Sequence, residues 1–164
     1  MLLLREFSGH ATAVLDATPG DVFGALTDID RLPEWNKRIE KVLEPPVRAL
    51  APGVEWIVKM FVPPASWASR ARVTVYDPQR WTFEHISQSD DGNPSYGAWK
   101  WMVTATEHGA RVDVEWSVHP KTFWRRFLFA KLRRKQLADE VPASLAALAY
   151  HVAPRDLTVE PGMS

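Results

Sequence analysis

From Val54 to His119 apolar and polar residues alternate in one short run after another, and past Pro120 the pattern changes to helical spacing. Alternation with period two sets one side of each run against a core and the other toward water, the mark of half-buried strands. Val54–Val62 places Trp56, Val58, Met60 and Val62 against Glu55, Ile57, Lys59 and Phe61, and Pro63-Pro64 breaks it. Trp67–Tyr76 places Ala71, Val73 and Val75 opposite Arg70, Arg72 and Thr74, before the turn signal Asp77-Pro78. Trp81–Ser87 puts Trp81, Phe83 and His85 together, and Tyr96–Glu107 does the same for Trp99, Trp101 and Val103. Arg111–His119 alternates most regularly, with Val112, Val114, Trp116 and Val118 on one side. Short connections such as His108-Gly109 join these runs into an antiparallel sheet in meander order.

Two more strand candidates precede them. Phe7–Ala17 carries His10, Thr12 and Val14 on one face and Ala11, Ala13 and Leu15 on the other. Arg38–Leu43 sets Ile39 and Leu43 opposite Val42. Between these two lies a helical corner, Thr18–Trp35. Thr18 is placed to cap it, Pro19 occupies the first helical position, and Asp21 puts a carboxylate in the first turn, where the helix dipole favours it. Val22, Phe23, Leu26 and Ile29 form one apolar stripe, and a second short turn, Asp30 to Pro33, runs into Trp35. So small an element cannot bury that stripe alone and has to plug the sheet.

From Thr122 onward Phe123, Phe127, Ala130, Leu137, Val141, Leu145, Leu148 and Val152 fall near one helical face. Pro142 inside this run predicts a kink or a split. Residues 154–164 have no periodicity and read as a flexible tail, leaving residues 1–153 as one domain. A chain of 164 residues buries roughly 70% of its unfolded surface.

Composition narrows the function. Lys plus Arg equal Asp plus Glu at 20 each, which argues against a nucleic-acid binder held by overall charge. With no cysteine, disulfides, thiolate catalysis and Cys-ligated metals are excluded. The opening MLLLREFSGH is too short in apolar residues for a signal peptide or a membrane span, so a cytoplasmic protein is expected. Eight tryptophans imply either a very aromatic core or the lining of an apolar cavity.

The element order resembles the START/SRPBCC superfamily, the helix-grip fold of polyketide cyclase-like proteins. The residues that carry the resemblance are Asp16-Ala17-Thr18-Pro19, Val22-Phe23, Leu26, Asp28, and Leu32-Pro33 with Trp35. It implies an α+β fold in which a curved antiparallel sheet wraps a long C-terminal helix, with two short helices after the first strand. It also implies a deep apolar cavity between sheet and helix. Members bind ligands, transfer lipids, or act as cyclases, aromatases and small-molecule hydrolases.

The expected ligand wall comprises Trp56, Trp81, Phe83, Trp99, Trp101 and Trp116, all on the apolar sides of their strands, opposite the helix. Met60 on the Trp56 side, Trp35 from the corner and Phe127 from the helix complete it. His85 shares the Trp81 and Phe83 face, where a neutral imidazole serves as a general base or hydrogen-bonds a carbonyl; Tyr96 is its candidate partner. The alternative for His85 is a satisfied core histidine. None of the five histidines pairs with another at ligand spacing, so neither a metal nor a cofactor is expected. Asp90-Asp91-Gly92-Asn93 lacks most positions of a calcium loop and reads as a solvated turn. Asp113 and Glu115 share a face with Arg111 and Ser117 and read as outer surface.

Lys121, Arg125, Arg126, Lys131, Arg133, Arg134 and Lys135 interleave with Phe123, Trp124, Phe127, Leu128 and Phe129. This basic amphipathic stretch either closes the cavity with a solvated cationic side or rests on an anionic membrane through the Arg125–Lys135 region. The leading expectation is binding of a hydrophobic small molecule (lipid, polyketide or aromatic). A cyclase/aromatase using His85 as acid/base, and lipid transfer with membrane docking, are the alternatives.

Overall fold

The computed structural model describes residues 6–122 and 130–153. The readings of 123–129 as helix, of Phe127 as a ligand contact and of 154–164 as a tail lie outside the described residues. Seven strands form one sheet: β1 (Phe7–Leu15), β2 (Ile39–Glu44), β3 (Glu55–Val62), β4 (Ala65–Asp77), β5 (Thr82–Ser89), β6 (Tyr96–Ala105) and β7 (Ala110–His119). Their order across the sheet is β1-β7-β6-β5-β4-β3-β2, every pair antiparallel. The curved meander holds helices α1 (Pro19–Thr27) and α2 (Ala130–Val152) on its inner face, the expected helix grip.

The corner forms as its residues dictate. Thr18 Oγ1 accepts from the Asp21 N–H at 3.2 Å and Pro19 opens α1; a 3-10 helix, Ile29–Glu34, follows. Val22, Phe23, Leu26, Ile29 and Leu32 are all buried. Phe23 stacks on Tyr76 at 5.9 Å, and Tyr76 stands edge-on to Phe83 at 6.5 Å. The corner therefore plugs one end of the inner face.

Irregular register changes which residues point inward. A bulge between Val73 and Val75 pairs Val75 with Glu84 and brings Tyr76 opposite Phe83, so Tyr76 replaces the expected Val75 on the core side. A register shift between Ile39 and Lys41 likewise brings both Ile39 and Val42 against the core and leaves Leu43 exposed, contrary to their expected opposition. Pro63-Pro64 ends β3 as expected and makes the hairpin joining it to β4, with Val62 and Ala65 paired.

Pro142 does not split α2, which runs unbroken from Ala130 to Val152. The missing N–H at Pro142 costs on the order of 3 kcal/mol in a helix interior. Burial of Leu137, Val141, Leu145 and Leu148 on the face that meets the sheet offsets it, each contributing about 1.5–3 kcal/mol. The Ser144 hydroxyl adds a tie to the corner by accepting from the Lys37 N–H at 3.1 Å. Among the described residues no helix is long and apolar enough to cross a membrane.

Candidate functional site

Cross-strand register assembles the inner face in rows. One runs Gly9, Trp116, Trp99, His85, Val73; the next runs Ala11, Val114, Trp101, Phe83, Tyr76. Small residues on β1 make room for indoles on its neighbours. A β-carbon on Gly9 would run into the Trp116 ring, so only glycine fits opposite that tryptophan.

The rings touch in a continuous array. Trp99 lies 5.9 Å from Trp116, 6.2 Å from Trp101 and 6.3 Å from His85, and His85 lies 5.5 Å from Trp56 and 5.2 Å from Phe83. Phe83, Trp56 and Trp101 are buried, beside the plugging corner, whereas Met60, Trp67, His85 and Trp99 on the same face are only half-buried. The inner face is thus filled at the corner end and less covered toward Trp67.

His85 is the polar centre of this wall. Trp101 Nε1–H donates to its Nε2 at 3.3 Å. An indole nitrogen only donates, so Nε2 carries the lone pair and Nδ1 carries the proton. The residue as a whole is half-buried, but Nδ1 is shut off from solvent and has no hydrogen-bond partner among the described residues. Burial pushes the ring's pKa from 6.5 down to about 3, so the imidazole is neutral at physiological pH. A neutral ring whose basic nitrogen is already engaged is a poor proton acceptor and a ready N–H donor. A second buried donor, Trp35 Nε1, also has no partner among the described residues, and the Trp35 ring meets Trp101 edge-on at 5.8 Å.

The pKa shift sets a pH dependence. Above pH 6.5 folded and unfolded His85 are both neutral; below it the unfolded ring takes a proton that the folded ring refuses down to about pH 3. Stability is therefore complete above pH 6.5 and is lost as pH falls. Between pH 7.5 and pH 5 the wild type should lose about 2 kcal/mol more than His85→Phe in urea unfolding. Equal losses would mean that His85 is not held neutral.

At the less covered end stands a charged cluster. Glu140 on α2 is 5% exposed, and both its oxygens accept from Arg133 Nη1, at 2.9 and 2.8 Å. Arg38 Nε lies 2.9 Å from Glu140 Oε1, an ion pair whose N–H is not aimed to form a hydrogen bond. The Arg133 guanidinium also lies over the Trp67 ring at 5.9 Å. Burial draws Arg133 down from its ordinary pKa against the opposing pull of Glu140, yet a guanidinium stays charged.

With this geometry in hand, the family described as polyketide cyclase/dehydrase and lipid transport matches residues 6–153. The chain belongs to that family, within the START/SRPBCC superfamily. Solved structures share its fold. The crystal structure of Ara h 8.0201 aligns with a TM-score of 0.70 at 15% identity, covering 90% of this chain and 97% of the other. Protein CV1439 from Chromobacterium violaceum aligns at 0.69 with 21% identity and the same coverages. The di-domain ARO/CYC BexL from the BE-7585A biosynthetic pathway aligns at 0.73 with 15% identity over 93% of this chain and 53% of its own, so this chain spans about half of that protein. Comparison with curated proteins returned no match.

In this polyketide cyclase-like chain most of the expected aromatic residues share one face, and three expectations change. Tyr96 cannot partner His85: it lies on the opposite face of the sheet, stacked on His119 at 4.5 Å with Lys121 over its ring. Trp81 does not begin β5. Its backbone is left-handed (φ 49°) in the turn before Thr82, which takes its side chain out of the strand's alternation and leaves it half-buried at the core's margin. Arg133 leaves the solvated cationic side and turns inward to Glu140, while Arg134 and Lys135 stay exposed.

Asp113 faces outward to Thr12 and Arg111, and the Asp91 and Asn93 side chains cap a polar turn. Sequence reasoning missed Arg38, Glu140 and Trp67. The available signal was spacing: Glu140 falls beside Val141 and two turns beyond Arg133, on the face that Leu137 buries. Among the described residues no group of three or more His, Asp or Glu side chains could hold a metal ion.

Proposed function

We propose that this chain binds a hydrophobic small molecule bearing a carbonyl or other hydrogen-bond acceptor, laid along the aromatic inner face with the acceptor on His85 Nδ1–H. The observation that carries this reading is the enclosed Nδ1–H, unpaired among the described residues, amid Trp56, Phe83, Trp99 and Trp101. A buried donor left unmade costs about 1–3 kcal/mol, and a ligand acceptor removes that penalty. The stacked rings supply apolar contact without choosing among ligands. Binding is favoured over cyclase-type proton transfer, because the His85 lone pair is engaged by Trp101 and the ring resists protonation.

Quenching of the intrinsic tryptophan fluorescence tests this with two neutral probes of one shape, an acetylnaphthalene and the corresponding ethylnaphthalene. The ketone should bind about threefold to tenfold more tightly, and His85→Phe should abolish the difference while retaining the hydrocarbon. Native mass spectrometry of the purified protein, with identification of anything released on denaturation, should yield an apolar compound with an acceptor group. If neither probe quenches the indoles, the wall is a solid core and the proposal fails.

A further inference from the structure

The Arg38–Glu140–Arg133 cluster holds two cations against one buried anion, at the less covered end of the aromatic face. Glu140 engages Arg133 through Nη1 alone and Arg38 through a misdirected Nε–H. Apart from a long contact of Arg133 Nη1 to Gln136 at 3.5 Å, the remaining guanidinium nitrogens of both arginines make no hydrogen bond among the described residues. Among the described residues one unit of positive charge beside the buried Glu140 is left uncompensated, and burial makes charge expensive at Arg133. A purely structural ion pair needs only one arginine.

The cluster also sits on the ligand face. Trp67, beneath Arg133, shares the inner side of β4 with Val73, the cross-strand partner of His85. Trp67 and Val73 are six residue steps apart on the strand, about 20 Å along the sheet at the usual rise. Met60, paired with Trp67, continues the apolar surface there.

We propose that Arg38 and Arg133 bind the anionic head, a carboxylate or a phosphate, of an amphiphile whose apolar body lies along the tryptophan face. The assignment rests on the ligand-binding reading above and specifies the class of its ligand. Glu140 is a positioning residue: it holds both guanidinium groups at the inner face and leaves their outer N–H groups to the ligand. Two guanidinium groups bracketing one anion supply the charge-assisted hydrogen bonds that a neutral head cannot accept with equal strength.

Tryptophan-fluorescence titration of the full chain with hexadecanoic acid, hexadecyl phosphate and methyl hexadecanoate tests it. At least one anion should bind about tenfold more tightly than the ester, and the tighter of the two identifies the head. Arg133→Gln and Arg38→Gln should each lower the anion affinity about tenfold and leave ester affinity unchanged, while Arg133→Lys recovers part of the loss. The anion-to-ester ratio is read within each variant, so reduced stability does not imitate the effect. An ester that binds as well as both anions, with ratios unmoved in the variants, overturns the anion site and leaves the apolar pocket standing. Failure of all three ligands to bind overturns the pocket as well. Displacement of the bound anion by equimolar inorganic phosphate would indicate a site for free anions and overturn the amphiphile assignment.

Discussion

Trp101→Ala is expected to lower the free energy of unfolding by about 3–5 kcal/mol, measured by urea denaturation at pH 7.5. The indole is 6% exposed, stacks on Trp99, meets the edge of Trp35, and donates to His85 Nε2. Truncation removes a large buried area and leaves a cavity that the rigid neighbouring rings cannot refill, which places the cost at the upper end for a core residue. Trp101→Phe separates packing from hydrogen bonding. It should restore most of the stability but leave Nε2 without a donor, so the proton is no longer confined to Nδ1. The preference for the ketone over the hydrocarbon should then fall in Trp101→Phe as it does in His85→Phe. A loss below about 1 kcal/mol for Trp101→Ala would place the indole beside an open space rather than in a packed wall.

Glu140→Ala is expected to cost a similar amount, about 3–5 kcal/mol, for a different reason. The carboxylate is nearly solvent-free, and its removal leaves Arg38 and Arg133 facing each other with no counter-charge. The two causes separate by ionic strength. Salt screens the repulsion between the half-buried arginines, so the Glu140→Ala deficit should shrink between low and high salt while the Trp101→Ala deficit holds. A Glu140→Ala variant as stable as the wild type would mean that the arginines relax into water and that no positioned cation pair exists.

Local signals carried much of this protein. Thr18, Pro19 and the apolar stripe from Val22 to Ile29 set the corner, because capping and helical spacing depend on neighbours in the chain. Alternation placed Phe83, His85, Trp99, Trp101 and Trp116 on one face, because the pleat of a regular strand leaves no other choice. Where a strand was irregular the parity argument failed. The bulge after Val73 exchanged Val75 for Tyr76, and the left-handed turn at Trp81 removed that indole from the wall. A bulge is an agreement between two strands, and neither strand's sequence alone records it.

Tertiary structure alone decided the chemistry. That His85 is a neutral donor rather than a base depends on Trp101, a neighbour on the next strand whose N–H takes the other nitrogen. That Glu140 is buried at all depends on Arg38, about a hundred residues earlier in the chain, and on the inward turn of Arg133. Hydrophobic pattern and capping are short-range and can be read along the chain. The protonation of a ring and the pairing of a buried charge are set by distance and dielectric, which exist only once the sheet has closed around its helix.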